Sequence, residues 1–137
     1  MQVTVPVSVG ELLDKIAILE IKAERIVDAA KRVNVERELR LLSERRDALG
    51  LGRAETGRAQ AAAEIAQLIG ELGQVNRRLW DVEDDLRRLE AEKSFGSDFV
   101  ERARQVYREN DRRAEIKREI NRLTGSDLVE EKSYSGS

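Results

Sequence analysis

Ile65-Ala-Gln-Leu68-Ile-Gly-Glu-Leu72-Gly-Gln-Val75-Asn-Arg-Arg-Leu79-Trp-Asp-Val82-Glu-Asp-Asp-Leu86-Arg-Arg-Leu89 is the stretch that decides the fold. Ile65, Leu72, Leu79 and Leu86 fall seven apart, and Leu68, Val75, Val82 and Leu89 follow three residues behind them. These are four heptads of apolar a and d positions with no omission. Gly70 and Gly73 lie off the seam, so each costs about 1 kcal/mol of helix propensity without removing a core contact. The regular pattern predicts a helix over 58–93. At about 1.5 Å per residue it spans roughly 50 Å, so it must fold against a helix of like length or against a second chain.

Downstream, Phe95 to Ser97 with Gly96 reads as a short turn, and Ser97 or Asp98 can cap a helix over 98–124 that closes at Gly125. Its apolar face thins between Tyr107 and Ile120, where Asn110, Arg113 and Lys117 stand at seam positions. Upstream, Gly50-Leu51-Gly52 and the stretch to Gly57 form the clearest loop signal in the chain. A charged helix is expected over 29–49, with Asp28 or Asn34 as its cap. A first helix is expected over 8–27, opened by a Ser8-Val9-Gly10-Glu11 capping box and carrying Leu12, Leu13, Ile16 and Leu19 on one face. Val3, Val5 and Val7 alternate with polar residues, so 1–7 reads as an extended arm with one buried edge, confined by Pro6 to an edge position. Residues 126–137 read as an extended tail that could pair with this arm. The expected architecture is an all-α antiparallel bundle of three to four helices in a single domain, dominated by a long hairpin.

Composition narrows the chemistry. Of 137 residues, 40% are hydrophobic and 38% charged, with 25 Lys and Arg against 27 Asp and Glu, and there is no Cys and no His. Thiolate and imidazole metal ligands, Cys and His nucleophiles and the Ser-His-Asp triad are therefore excluded. A net charge of −2, spread evenly along the chain, argues against nucleic acid as a partner. No apolar run approaches the roughly 20 residues needed to cross a bilayer, and Met1 to Gly10 lacks the form of a secretion signal, so no membrane association and a cytoplasmic location are expected.

Three features could carry function. Asp81 and Asp84 share a helical face beside Trp80, a spacing at which two carboxylates can share Mg²⁺. The doubled Glu pairs of all-helical nucleotide pyrophosphatases are not matched, and pairing with Arg77, Arg78, Arg87 and Arg88 along the helix is the plainer reading. Trp80 sits one residue past the seam, as an interface anchor or bundle-end plug in preference to a ligand platform. Asn110, Arg113, Lys117 and Asn121 form a polar stripe that must be solvated, paired across the bundle or bound to an anion. Asp14, Asp81 and Asp84 are the expected counter-ions. Lys15 and Lys22 lie seven apart on the first helix. A desolvated lysine nucleophile is one of the few covalent routes left, with nothing nearby in sequence to favour it.

Val5-Pro-Val-Ser-Val-Gly-Glu-Leu-Leu-Asp-Lys-Ile16, Leu19-Glu-Ile-Lys22, Leu79-Trp-Asp-Val-Glu-Asp84, Tyr107 with Asn110-Asp-Arg-Arg113, Lys117-Arg-Glu-Ile-Asn121 and Leu128-Val-Glu-Glu-Lys-Ser-Tyr134 together resemble a family of small uncharacterised bacterial helical proteins, a domain of unknown function. The resemblance spans nearly the whole chain and weakens over 48–64. It implies a stand-alone helical domain, sometimes in company with tetratricopeptide-repeat or glycan-modifying proteins, which points toward cell-envelope polysaccharide work. It also implies that Asp14, Lys15, Trp80, Asp81, Asp84, Asn110, Arg113 and Lys117 form one cluster. The sequence thus favours a non-catalytic, self-associating binding or scaffolding module, expected as a homodimer with a possible protein partner and no cofactor. One alternative is a binder of a small anionic ligand such as a nucleotide sugar, held by Arg113 and Lys117 with Trp80 stacked on it. The other is a carboxylate and Mg²⁺ dependent hydrolase using Asp81 and Asp84.

Overall fold

The computed structural model describes residues 1–51 and 59–134. It contains α1 (Val9–Arg25), α2 (Ala29–Leu49), α3 (Ala59–Ala91) and α4 (Ser97–Thr124), with no strand among the described residues. The loop expected to Gly57, the helix start placed at 58 and the last three tail residues lie outside the described residues.

The helix ends follow local chemistry. Ser8 caps α1, its hydroxyl accepting from the Glu11 amide at 3.1 Å. The return half of the capping box is not made, because the Glu11 carboxylate turns to Lys117 instead. Asp28, not Asn34, caps α2 by accepting from the Lys31 amide at 2.8 Å, and α1 stops two residues before the expected Val27 to let it do so. Gly125 closes α4 in the left-handed conformation, with its amide donating to the Arg122 carbonyl and the Ser126 amide to the Asn121 carbonyl, a Schellman pair. The same pattern ends α3, where Lys93 donates to Glu90 and Ser94 to Leu89. There the left-handed residue is Lys93, with φ of 54°, a conformation that favours glycine. Gly96, rather than Ser97 or Asp98, occupies the N-cap of α4 and offers it no side-chain bond.

The heptad seam packs as its period requires. Ile65, Leu72, Val75, Leu79, Val82 and Leu89 are buried, and Leu68 and Leu86 are half-buried. α3 and α4 form the antiparallel hairpin, and α1 crosses it, placing Leu13 and Ala17 in one core with Leu72, Val75, Leu79, Ile116 and Ile120. The seam that could have required a second copy is thus covered largely within one chain. α2 packs against α1 and, of its own residues, buries only Val35.

The amino-terminal arm departs from expectation. Val3 and Val5 are 75% and 63% exposed, so no edge of it is buried and it pairs with no strand. Period-two alternation marks an extended segment, but a buried edge needs a sheet to lie on, and these helices supply none.

Candidate functional site

The polar stripe of α4 faces α1, and a glycine lets it do so. A Cβ on Gly10 would lie 2.6 Å from the Lys117 carbonyl oxygen and 3.0 Å from Asn121 Oδ1, so only glycine allows the start of α1 to rest on the α4 backbone. The Gly10 amide donates to Asn121 Oδ1 at 2.7 Å, which uses the last residue of the stripe. One turn further along α1, Asp14 comes over Arg113.

Asp14 is the centre of the site and has no solvent exposure. Arg113 grips it with two nitrogens: Nε donates to its two carboxylate oxygens at 2.9 and 3.0 Å, and a terminal nitrogen donates to Oδ2 at 2.5 Å. Asn76, on α3, donates to Oδ1 at 2.9 Å. Asn110 lies behind Arg113, its side-chain oxygen 3.5 Å from the other terminal nitrogen. A buried carboxylate is tolerable only with such a full set of donors, and planar Arg supplies a matched fork.

Lys117 is also buried. It donates to Glu11 at 3.1 Å and to Glu130 at 2.7 Å, and lies 3.9 Å from Asp14. Burial works against its ammonium, but the bonds to Glu130 and Glu11, with the charge of Asp14, outweigh that and raise its pKa. The bond to Asp14, partly opposed by burial, likewise raises that of Arg113. Lys117 in turn holds Glu130 below the usual carboxylate range. Three carboxylates, Glu11, Asp14 and Glu130, thus enclose two cations, leaving the cluster at net −1.

Of the eight expected cluster residues, Asp14, Asn110, Arg113 and Lys117 converge. The other four do not. Asp81 pairs with Arg25 of α1 at 2.5 Å, and Asp84 is exposed beside Arg87 at 3.8 Å. The reason is axial register. Arg112 pairs with Glu71, Arg78 with Glu109 and Arg102 with Asp85, so the level of Arg113 falls near Leu72 on α3. Asp84 is then about 18 Å further along the helix. Trp80 is half-buried with the Arg25 guanidinium 5.9 Å from its ring centre, a cation–π contact beside the core rather than a platform in the cluster. Lys15 is exposed, so nothing desolvates it toward nucleophilicity.

Glu11, Asn76 and Glu130 take part without having been singled out. Asn76 carried a faint signal, an amide immediately beside a seam valine. Glu130 lies in a segment without periodicity, which gave nothing to place it by.

Beside the cluster is a cavity of about 240 Å³ lined by Glu11, Asn110, Arg113, Lys117, Glu130 and Lys132, among others. A second, of about 290 Å³, shares Lys117, Glu130 and Lys132 and is lined also by Arg118, Asn121 and Tyr134. Among the described residues no three carboxylates gather where they could hold a metal ion, and no buried side-chain nitrogen or oxygen lacks a partner. The arrangement can lock helices together and present cations at its rim. It holds no base positioned against a nucleophile. Comparison with family models, with curated proteins and with solved structures finds no match to this chain. No helix among the described residues is long and apolar enough to cross a membrane.

Proposed function

We propose that this chain is a non-catalytic helical binding or scaffolding module that associates with itself, a member of the family of small bacterial helical proteins that its motifs resemble, working in the cytoplasm near cell-envelope glycan pathways. The observation that carries the non-catalytic reading is the closure of the cluster: Asp14 has its donors, and Lys117 its acceptors, within the chain. Catalytic acids, bases and nucleophiles need an open partner position, and these groups have none. Self-association draws support from the exposed valines of the arm and from Leu128 and Val129 of the tail, since the seam itself is occupied.

Sedimentation across micromolar to millimolar concentrations tests the reading. A mass that rises from 15.5 kDa toward twice that value is expected, with Trp80 fluorescence unmoved by Mg²⁺ and nucleotides. A chain that stays monomeric throughout overturns it.

The second reading, a small anionic ligand, is favoured by the cavity that Arg113, Lys117 and Lys132 line. Trp80 has no part in it, being engaged with Arg25. The Mg²⁺ hydrolase reading has little to stand on, because Asp81 and Asp84 are each engaged with an arginine.

A further inference from the structure

Residues 126–134 leave the closing turn of α4 and return along it without forming helix or strand. Two ion pairs with the same sequence offset hold them there: Lys117 donates to Glu130 at 2.7 Å and Arg118 to Glu131 at 2.6 Å. Apolar burial contributes little, for Leu128 and Val129 are nearly half exposed. Apart from the Ser126 turn that closes α4, no backbone–backbone hydrogen bond ties the described tail residues down. Space remains on both sides of the Lys117–Glu130 contact, so the tail bridges its groove without filling it.

We propose that Lys117 and Arg118, flanked by Arg113, form a docking site for an extended acidic peptide of a partner protein, one carrying two adjacent carboxylates, and that the chain's own tail occupies this site until displaced. The proposal rests on the binding-module reading and names the partner chemistry. Without Glu130 and Glu131, Arg113 and Lys117 keep Asp14 and Glu11, Arg118 loses the carboxylate it pairs with, and a buried ammonium has lost an acceptor. Such a group demands a replacement carboxylate. Geometry selects the pair. Successive side chains of an extended chain point to opposite sides, while Lys117 and Arg118 diverge by about 100° around α4, so adjacent glutamates can straddle the helix with one carboxylate on each flank. A tethered occupant held by a few polar contacts competes with, but does not exclude, an untethered one of the same chemistry.

The test uses the full chain and a fluorescein-labelled peptide, Leu-Val-Glu-Glu-Lys-Ser-Tyr, read by anisotropy at low salt. The Glu130→Gln/Glu131→Gln variant, altered only in the exposed tail, should bind it about tenfold tighter than the unaltered chain, because its own tail no longer competes. A peptide with Gln at both acidic positions should bind at least about tenfold more weakly. Arg118→Glu, an exposed change that leaves the cluster intact, should weaken binding, as should Lys117→Met if its helical circular dichroism persists. No saturable binding up to millimolar peptide, equal affinity for both proteins or equal affinity of both peptides overturns the proposal. So does loss of self-association in the tail variant, which would make a second copy the occupant. If the peptide fails to bind while the chain still self-associates, this inference falls and the module reading stands.

Discussion

Asp14→Ala removes the acceptor on which α1, α3 and α4 converge. The carboxylate is wholly buried and takes bonds from Arg113 and Asn76, so its loss leaves a guanidinium and an amide facing an apolar gap, with the Lys117 ammonium short of one counter-charge. Removing one partner of a buried ion pair costs about 3–5 kcal/mol, and the better helix propensity of Ala returns only about 0.7 kcal/mol of that. Arg113→Ala should cost about 3 kcal/mol, because it leaves the buried carboxylate with one hydrogen bond, from Asn76, and only the more distant Lys117 ammonium as counter-charge. The double variant has neither stranded charge, so it should fall short of the sum by about 2 kcal/mol. Urea unfolding followed by helical circular dichroism measures all three. At about 2 kcal/mol per molar urea, a loss of 3 kcal/mol lowers the midpoint by about 1.5 M. Asp84→Ala is the internal control: its side chain is 65% exposed and its arginine is distant, so it should change stability by less than about 0.5 kcal/mol. Equal midpoints for Asp14→Ala and Asp84→Ala, or single losses that simply add, would refute the assignment of Asp14 as the buried centre.

Further outcomes follow from the helix ends and the tail. Gly10→Ala, which in an open helix would stabilise, should here cost about 1–3 kcal/mol in urea unfolding, since the new methyl meets the Lys117 carbonyl. Lys93→Gly should stabilise by about 1 kcal/mol and raise the thermal midpoint by about 4 °C, because the left-handed turn at the end of α3 then carries no side-chain penalty. Glu130 has a depressed pKa in the folded chain, so its contribution is fully present above the ordinary glutamate value and is lost as pH falls through the lower folded one. Amide resonances of Val129 and Glu130 should therefore shift toward a released tail in that acidic window, and Lys117→Met should move the transition up to the ordinary glutamate range.

The hairpin was readable in the sequence because every seam position from Ile65 to Leu89 is apolar and the period leaves no other solution. The stripe from Asn110 to Asn121 was readable as a break in an apolar face. Its counter-ions were only partly so. Asp14 was one of three carboxylates that could have faced the stripe, and helical spacing, which says which residues share a face, does not say at what height two antiparallel helices meet. That height is set by the turn from Glu92 to Gly96 and by cross-helix pairs such as Glu71 with Arg112. Once it is fixed, Asp84 lies far from Arg113. Glu130 and the valine arm belong to segments whose placement depends on what surface passes beneath them, and no local pattern encodes that.

The bonds that seat α1 reach far along the chain: Asp14 meets Arg113 across a separation of 99 residues, and Glu11 meets Lys117 across 106. During synthesis at about 5–20 residues per second, the first helix emerges about 5–20 s before the arginine that neutralises it. For the first part of that interval α2 alone of its three packing partners has been made; α3, which brings Asn76 to Asp14, follows, and α4 with its cations comes last. Translation speed and the late place of α4 in the chain together therefore govern how long a greasy, negatively charged helix stands open to other nascent chains.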